Sequence, residues 1–317
     1  MQMLKTSAYI TAVLLAGALT ALLVTALQAA APTVEAWQMP DGVRVIRDVE
    51  YARVNGQPLL VDIVMPPEKF SEPRPVVIFI HGGAWRAGDR RGGMRYLLPL
   101  ARAGYTGFSI DYRLTNRARF PAQLHDCKAG VRWVRAHAAE YGAAPDWIGI
   151  TGTSAGAHLA ALVALSGGEP ATEGDVGDCL DTSSKVQALV DWFGPTDLRY
   201  LGEDPDGWQK AILHELLGGL PSEVPELAAL ASPITHIDAG DPPVLIIHGD
   251  ADKTVPVELS RVFHEALADA DVEVEYIEVE RGGHAKFRNT KPDQEDLVRL
   301  MIEFFDRKRL HWASGYH

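Results

Sequence analysis

Between Val43 and Leu310 the chain alternates short apolar runs with longer stretches whose apolar positions recur every three or four residues. Val43 to Val54 and Leu59 to Val64 read as two strands joined at Asn55-Gly56, a dipeptide suited to the positive dihedrals of a tight hairpin. From there Val76 to Ile80, Tyr105 to Asp111, Trp147 to Thr151, Val186 to Phe193, Val244 to His248 and Val274 to Val279 are further strands. Helical periodicity covers Met94 to Ala103, Pro121 to Tyr141, the run from Ala157 to Leu165, Val257 to Ala270 and Asp293 to Leu310. Strands alternating with helices imply parallel pairing through right-handed crossovers, so the expected fold class is α/β: a mostly parallel central sheet with helices on both faces and an antiparallel entry. The stretch 196–237 breaks the rhythm without a clean strand. It falls where such folds insert lids and specificity loops, and a small cap is expected there.

The 317 residues, 47% hydrophobic and 23% charged, fit one large domain with ample material for a continuous core. A net charge of −12 opposes binding to phosphate backbones, so nucleic acid is not an expected partner. At the N-terminus, Lys5 precedes an apolar stretch from Ala8 to Leu27 and the small residues Ala29, Ala30 and Ala31. This segment, 1–31, resembles a secretory signal peptide and implies export; its near-membrane-spanning length leaves a retained anchor open. The domain is then 37–317. Cys127 falls on a predicted helix and Cys179 in a polar loop, which favours two separate thiols over a bridge.

The candidate chemistry lies at the ends of predicted strands. Gly152-Thr153-Ser154-Ala155-Gly156 is a GxSxG pentapeptide between an apolar strand and an alanine-rich helix, the setting of a nucleophile elbow. Small residues on either side of Ser154 let strand and helix pass closely, and the serine takes strained dihedrals at the tip. After the Val76 to Ile80 strand stands His81-Gly82-Gly83-Ala84-Trp85, an HGGxW version of the loops that donate backbone N–H groups to an oxyanion. Gly83, Ala84 and Ala155 are the candidate donors. His248-Gly249-Asp250-Ala251-Asp252 closes another strand; the HGxxDxxVP spacing favours Asp252 over Asp250 as the acid that orients a histidine. Gly282-Gly283-His284 follows the next strand, making His284 the expected general base. The order Ser154, Asp252, His284 is that of α/β-hydrolases.

Other features carry less. His125, His137 and His158 lie on helix-like stretches, and His158 is expected to pack within its own helix. No HExxH or paired metal spacing is present, nor a phosphate loop or dinucleotide fingerprint, so neither metal nor cofactor is expected. Glu173, Asp175, Asp178 and Asp181 lack an EF-hand pattern and read as a solvated loop. Trp85, Tyr112, Trp192 and Phe193 lie near strand ends, where they either wall the substrate site or belong to the core.

Taken together, HGGAW, Asp111-Tyr112-Arg113-Leu114, GTSAGAHLA, Asp191-Trp192-Phe193-Gly194-Pro195-Thr196-Asp197, HGDADKTVP and GGHAKF resemble the bacterial α/β-hydrolases related to acetylxylan and feruloyl esterases (BD-FAE-like) and to the hormone-sensitive-lipase-like group. The resemblance covers essentially the whole chain after the leader. It implies a serine carboxylesterase without cofactor, acting on small or polysaccharide-linked esters. Ala84 and Ala157 depart from the usual glycines, which bears on pocket shape and not on a catalytic atom. An arylformamidase shares the HGG-aromatic loop, and a non-catalytic hydrolase-fold binding protein is a second alternative; the first fits poorly with an export leader, the second with a complete triad.

Overall fold

Two apolar layers separated by a sheet follow directly from the strand patterns. In the run Val76-Val77-Ile78-Phe79-Ile80 every side chain is buried, with Val76, Ile78 and Ile80 facing one cluster and Val77 and Phe79 the other. Leu189, Val244 and Ile246 join the first cluster, and Val190, Leu245 and Ile247 the second. Continuous burial on both faces is the signature of a parallel strand sandwiched by helices.

The structure, a computed structural model, describes residues 36–39, 41–69, 73–203 and 207–314. The segment 1–31, read as a leader, lies outside the described residues. In chain order the strands are β1 (Ala36–Gln38), β2 (Arg44–Val54), β3 (Gln57–Met65), β4 (Arg74–Ile80), β5 (Thr106–Ile110), β6 (Ala143–Thr153), β7 (Ala188–Trp192), β8 (Val244–Gly249) and β9 (Val274–Val279). The helices are α1 (Met94–Arg102), α2 (Ala122–His137), α3 (Ala155–Leu165), α4 (Pro170–Glu173), α5 (Leu198–Glu203), α6 (Gly207–Leu217), α7 (Pro225–Leu230), α8 (Val257–Asp269) and α9 (Gln294–Ala313). The strand order is β1-β2-β3-β5-β4-β6-β7-β8-β9, antiparallel through the β3–β5 pair and parallel from β5 to β9. Helices α2, α3 and α8 cover one face, and α1 and α9 the other.

Local chemistry sets most boundaries where the sequence places them. The β2–β3 hairpin turns at Asn55 and Gly56, both left-handed at φ 49° and 77°. Helix α9 starts where the Asp293 carboxylate caps the N–H groups of Glu295 and Asp296, while the Asp296 side chain accepts from the Asp293 N–H. Differences arise where tertiary pairing adds residues. Strand β6 runs from Ala143, before the apolar stretch begins, because Arg74 on β4 pairs there. Strand β1 was not expected at all: a three-residue edge strand has too little pattern of its own and exists through pairing with β2. The predicted helix to Tyr141 tightens into a 3₁₀ turn over Ala138–Tyr141 and stops at Gly142, φ 64°.

One buried polar network ties the antiparallel entry to the loop after β4. The Arg90 guanidinium donates to Asp62 on β3 (2.8 Å) and Asp111 after β5 (2.7 Å), and also pairs with Asp48 on β2. Arg90 is nearly buried and Asp62 fully so, so removing the cation strands a carboxylate in low dielectric. Arg90→Met is expected to lower unfolding free energy by about 3 kcal/mol, read from urea denaturation; a loss below about 0.5 kcal/mol, the scale of an ordinary surface substitution, would mean that solvent screens the network.

Candidate active site

Strand β6 enters a turn at Ser154 and leaves it as α3. Ser154 holds φ 52° and ψ −123°, a conformation that costs on the order of 1–3 kcal/mol for a residue with a side chain. Two bonds hold it there: the Ser154 N–H donates to the Trp192 carbonyl (2.9 Å), and the Ser154 carbonyl accepts from the His158 N–H (3.0 Å). A Cβ on Gly156 would collide with the carbonyls of Ile80 and His81, and one on Gly152 with the backbone of Gly156. The two glycines therefore let the turn press against the end of β4.

That same end of β4 carries the glycine loop. Gly83, Ala84 and Trp85 all have positive φ, at 123°, 52° and 58°, and the turn is closed by Arg86 and Ala87 N–H groups donating to the Gly83 carbonyl (3.1 and 3.0 Å). His81 is buried below it. Its ring stacks on Tyr112 (4.4 Å) and its Nδ1–H donates to the Gly82 carbonyl (2.8 Å), while the Tyr112 hydroxyl donates to the His81 carbonyl (3.0 Å). Gly82 packs directly on Thr153 and Ser154. The backbone N–H groups of Gly83, Ala84 and Ala155 donate to no acceptor among the described residues.

The base and acid arrive from β9 and β8. His284 Nε2 lies 3.0 Å from Ser154 Oγ, and its Nδ1–H donates to Asp252 Oδ2 at 2.7 Å. Phe193 sets its ring edge-on to His284 at 4.8 Å. Asp252 Oδ1 accepts from the N–H groups of Thr254 (2.7 Å) and Val255 (3.0 Å), and Oδ2 also accepts from His248 Nε2–H (3.2 Å). Burial alone would raise the Asp252 pKa, but the hydrogen bonds from His248 and His284, the nearby imidazole charge and the Thr254 N–H hold it well below the usual carboxylate range. The side chain is thus an anion at any working pH. Asp250, the rival acid, instead accepts from the Arg281 N–H at 2.6 Å and does not reach His284.

The structure brings Ser154, Asp252 and His284 into one hydrogen-bonded chain; Ala155 follows the serine on α3, and Gly82, next to Gly83, packs against Ser154. It does not bring Trp85, Tyr112 or Trp192 to the surface of a substrate site. Trp192 has no exposed area and packs under the sheet against Tyr96 and Phe287; β7 alternates, and position 192 faces the α1/α9 layer. Tyr112 and Trp85, each 3% exposed, are turned inward, Tyr112 onto His81 and Trp85 onto His158. All three therefore belong to the core. His158 also departs from expectation, bonding outside its helix to Trp85 and to the Ala231 carbonyl. Glu173 is no solvated loop acid: it binds Lys128 and Arg132. Neither Cys127, which is buried, nor Cys179 forms a disulfide.

His248 was missed. It is fully buried, shares Asp252 with His284, and accepts from the Ser260 hydroxyl on α8 (2.7 Å). The available signal was its spacing, four residues before the acid at the end of a strand.

A serine elbow between strand and helix, facing a histidine and a carboxylate from later strand ends of a parallel sheet, defines the α/β-hydrolase fold. Within that class the chain belongs to the BD-FAE family, whose profile matches residues 61–267. Esterase LipQ of Mycobacterium tuberculosis is 36% identical over 241 residues, 75% of this chain and 56% of LipQ. The chain thus spans little more than half the length of such curated relatives. Among solved structures, a truncated carbohydrate esterase from gut microbiota is 33% identical with a TM-score of 0.76, covering 86% of this chain and 98% of that one. Esterase 2 of the planctomycete Thermogutta terrifontis, with butyrate bound, is 29% identical with a TM-score of 0.67, covering 87% of this chain and 95% of that one.

The depressed Asp252 pKa has a defined sign in stability. A carboxylate whose folded pKa lies below its unfolded value of about 3.9 stabilises the fold above that value and loses the contribution as pH falls toward the folded one. The stability difference between the native protein and Asp252→Asn should therefore be constant from about pH 8 to 5 and shrink steadily below about pH 4. Urea unfolding at a series of pH values measures it. A difference that does not change down to about pH 3 contradicts the depressed pKa.

Proposed function

We propose that the protein hydrolyses carboxylic esters through an acyl-enzyme, with Ser154 as nucleophile, His284 as general base and Asp252 as its orienting anion. The observation that carries this reading is the chain Ser154 Oγ, His284 Nε2, His284 Nδ1, Asp252 Oδ2, with both contacts at 3.0 Å or less. Because ionised Asp252 can only accept, the His284 proton sits on Nδ1 and Nε2 is left free to take the serine proton. Attack on the carbonyl carbon places negative charge on the carbonyl oxygen, where the unengaged N–H groups of Gly83, Ala84 and Ala155 are available to it. Imidazolium then gives its proton to the leaving alcohol, and water hydrolyses the acyl-enzyme by the same route. No step calls for a cofactor or a metal.

For substrate class we propose short acyl esters, acetyl above all, including those attached to carbohydrate. The segment 196–237 supports this, because its helix α6 is tied to loops beside the site. Phe120 N–H donates to the Leu216 carbonyl at 2.8 Å, and Gln209 reaches the carbonyl of Thr254, beside Asp252, at 3.5 Å. We read this segment as a small cap. The named neighbours are compatible with it: one is a carbohydrate esterase, and Thermogutta esterase 2 is solved with propionate and with butyrate bound. Export through the segment 1–31 would bring the enzyme to such esters outside the cytoplasm.

Ser154→Ala is expected to lower kcat by about a thousandfold or more while leaving the fold intact. A serine-directed organophosphate should leave one covalent adduct on the Ser154 peptide by mass spectrometry; an unlabelled peptide, or full activity in Ser154→Ala, refutes the mechanism.

Across acetyl, butyryl, octanoyl and palmitoyl esters of one alcohol, kcat/KM should fall with length, since each methylene left unhoused forfeits roughly 0.8 kcal/mol of burial. A maximum at palmitoyl points to a lipase. Preference for N-formylkynurenine over every ester points to an arylformamidase.

A further inference from the structure

His158 has no place in the mechanism above, yet both its ring nitrogens are engaged by groups that bear on the site. Its Nε2 lies 2.7 Å from the Ala231 carbonyl oxygen, and its Nδ1 lies 3.2 Å from the indole Nε1 of Trp85. The ring is fully buried, and burial pushes its pKa down to about 4, so near neutral pH it carries one N–H. A carbonyl oxygen can only accept, which puts that proton on Nε2. Nδ1 is then the acceptor for the indole N–H.

The placement of these partners matters more than the bonds themselves. His158 sits one turn after Ser154 on α3, the helix whose first N–H is Ala155. Trp85 immediately follows Ala84 on the loop that supplies the other two N–H groups. The two halves of the donor set thus come from different elements, and the Trp85–His158 bond joins them directly. The loop needs such a tie, because Ala84 and Trp85 are consecutive non-glycine residues with φ of 52° and 58°. Left-handed backbone at residues with side chains persists only where the surroundings enforce it. Here Trp85 is held by edge-on packing on His158 (5.0 Å, 82°), by the indole bond, and by its carbonyl accepting from the Thr115 N–H (2.9 Å).

We infer that His158 is a positioning residue for the oxyanion site: by accepting the Trp85 indole N–H it fixes the backbone of Ala84 and Trp85 relative to Ala155. This rests on the esterase reading of Ser154. Its bond to Ala231, just beyond α7, anchors the ring from the far side so that the acceptor nitrogen cannot swing away. A leucine or phenylalanine could fill the volume but would leave the indole N–H buried and unpaired.

Two substitutions separate the two ring nitrogens. In His158→Asn the side-chain oxygen can stand where Nδ1 stands and still accept from Trp85. In His158→Gln the amide nitrogen can stand where Nε2 stands and still donate to Ala231, but the Trp85 acceptor is lost. On an acetyl aryl ester, His158→Gln and Trp85→Phe should each lower kcat by about tenfold to thirtyfold with KM changed less than about twofold, because a misplaced oxyanion donor acts mainly on the transition state. The double variant should be no worse than the weaker single one, and His158→Asn should keep kcat within about threefold of native. Independently of activity, the ¹⁵N indole resonance lost in Trp85→Phe should exchange slowly with solvent in the native protein and in His158→Asn, and shift and exchange faster in His158→Gln. Equal impairment by Asn and Gln, additive loss in the double variant, or an unmoved indole resonance in His158→Gln overturns the inference. Failure of the esterase reading itself would appear separately, as activity surviving Ser154→Ala, while the resonance still reports on the clamp.

Discussion

The close approach of Gly156 to the carbonyls of Ile80 and His81 is the constraint on which the site depends. A side chain at position 156 would push the start of α3 away from the end of β4, and two things would separate together. The serine turn would leave the glycine loop, and the Ala155 N–H would leave those of Gly83 and Ala84. Parallel pairing of β4 with β6 brings Ile80 beside Gly152, so the two loops leave the sheet at the same level. The glycines then close the remaining distance. Register supplies the coarse alignment, and the missing Cβ atoms supply the fine one.

Electrostatics is arranged with the same economy. The Asp252 carboxylate receives two backbone N–H groups on one oxygen and two imidazoles on the other, in a position with no exposed side-chain surface. A buried anion so fully bonded stays charged, and its charge fixes which nitrogen of His284 is basic. His248 contributes to this without touching Ser154 or His284: anchored by Ser260 and the Val255 carbonyl, it directs a donor at Asp252 that does not depend on the protonation of His284. Asp191, by contrast, is buried beside the turn with one oxygen bonded to the Gly194 N–H and the other unpaired, and burial raises its pKa to about 6. The neighbouring carboxylates are thus driven in opposite directions by the number of donors each receives.

How much of this could be read in the chain follows from the range over which each feature is determined. The elbow, the glycine loop and the strand-end positions of Asp252 and His284 are set by a few consecutive residues, and their spacing announces them. The Asn55-Gly56 hairpin and the α9 start are legible for the same reason. The orientation of Trp85, Tyr112 and Trp192 is not local. Trp192 is next to the turn in sequence, but strand alternation carries it to the opposite layer, and Tyr112 turns inward because His81 offers it a ring to stack on and a carbonyl to bond. Proximity to a strand end says nothing of which way a side chain points. The helical pattern around His158 predicts packing within its own helix; its bonds to positions 85 and 231 are visible only once the chain is folded.

Backbone strain completes the account. Left-handed φ at residues with side chains recurs at Ala84, Trp85, Ser154, Phe193 and Ala285, which follow β4, β6, β7 and β9 at the edge where the site lies. Each such residue costs on the order of 1 kcal/mol or more, and none of these positions is a glycine that would remove the cost. At Ser154, Trp85 and Phe193 the backbone or side chain is held by something rigid. Ser154 is held by the Trp192 carbonyl, Trp85 by His158 and Thr115, and Phe193 by the Ile247 carbonyl that accepts its N–H at 2.9 Å. The core beneath them supplies the rigidity, with Trp192 and Phe287 packed under the turn of Phe193. The aromatic residues near the strand ends therefore serve the site from below: they hold in place the strained loops from which Ser154 and the glycine loop project.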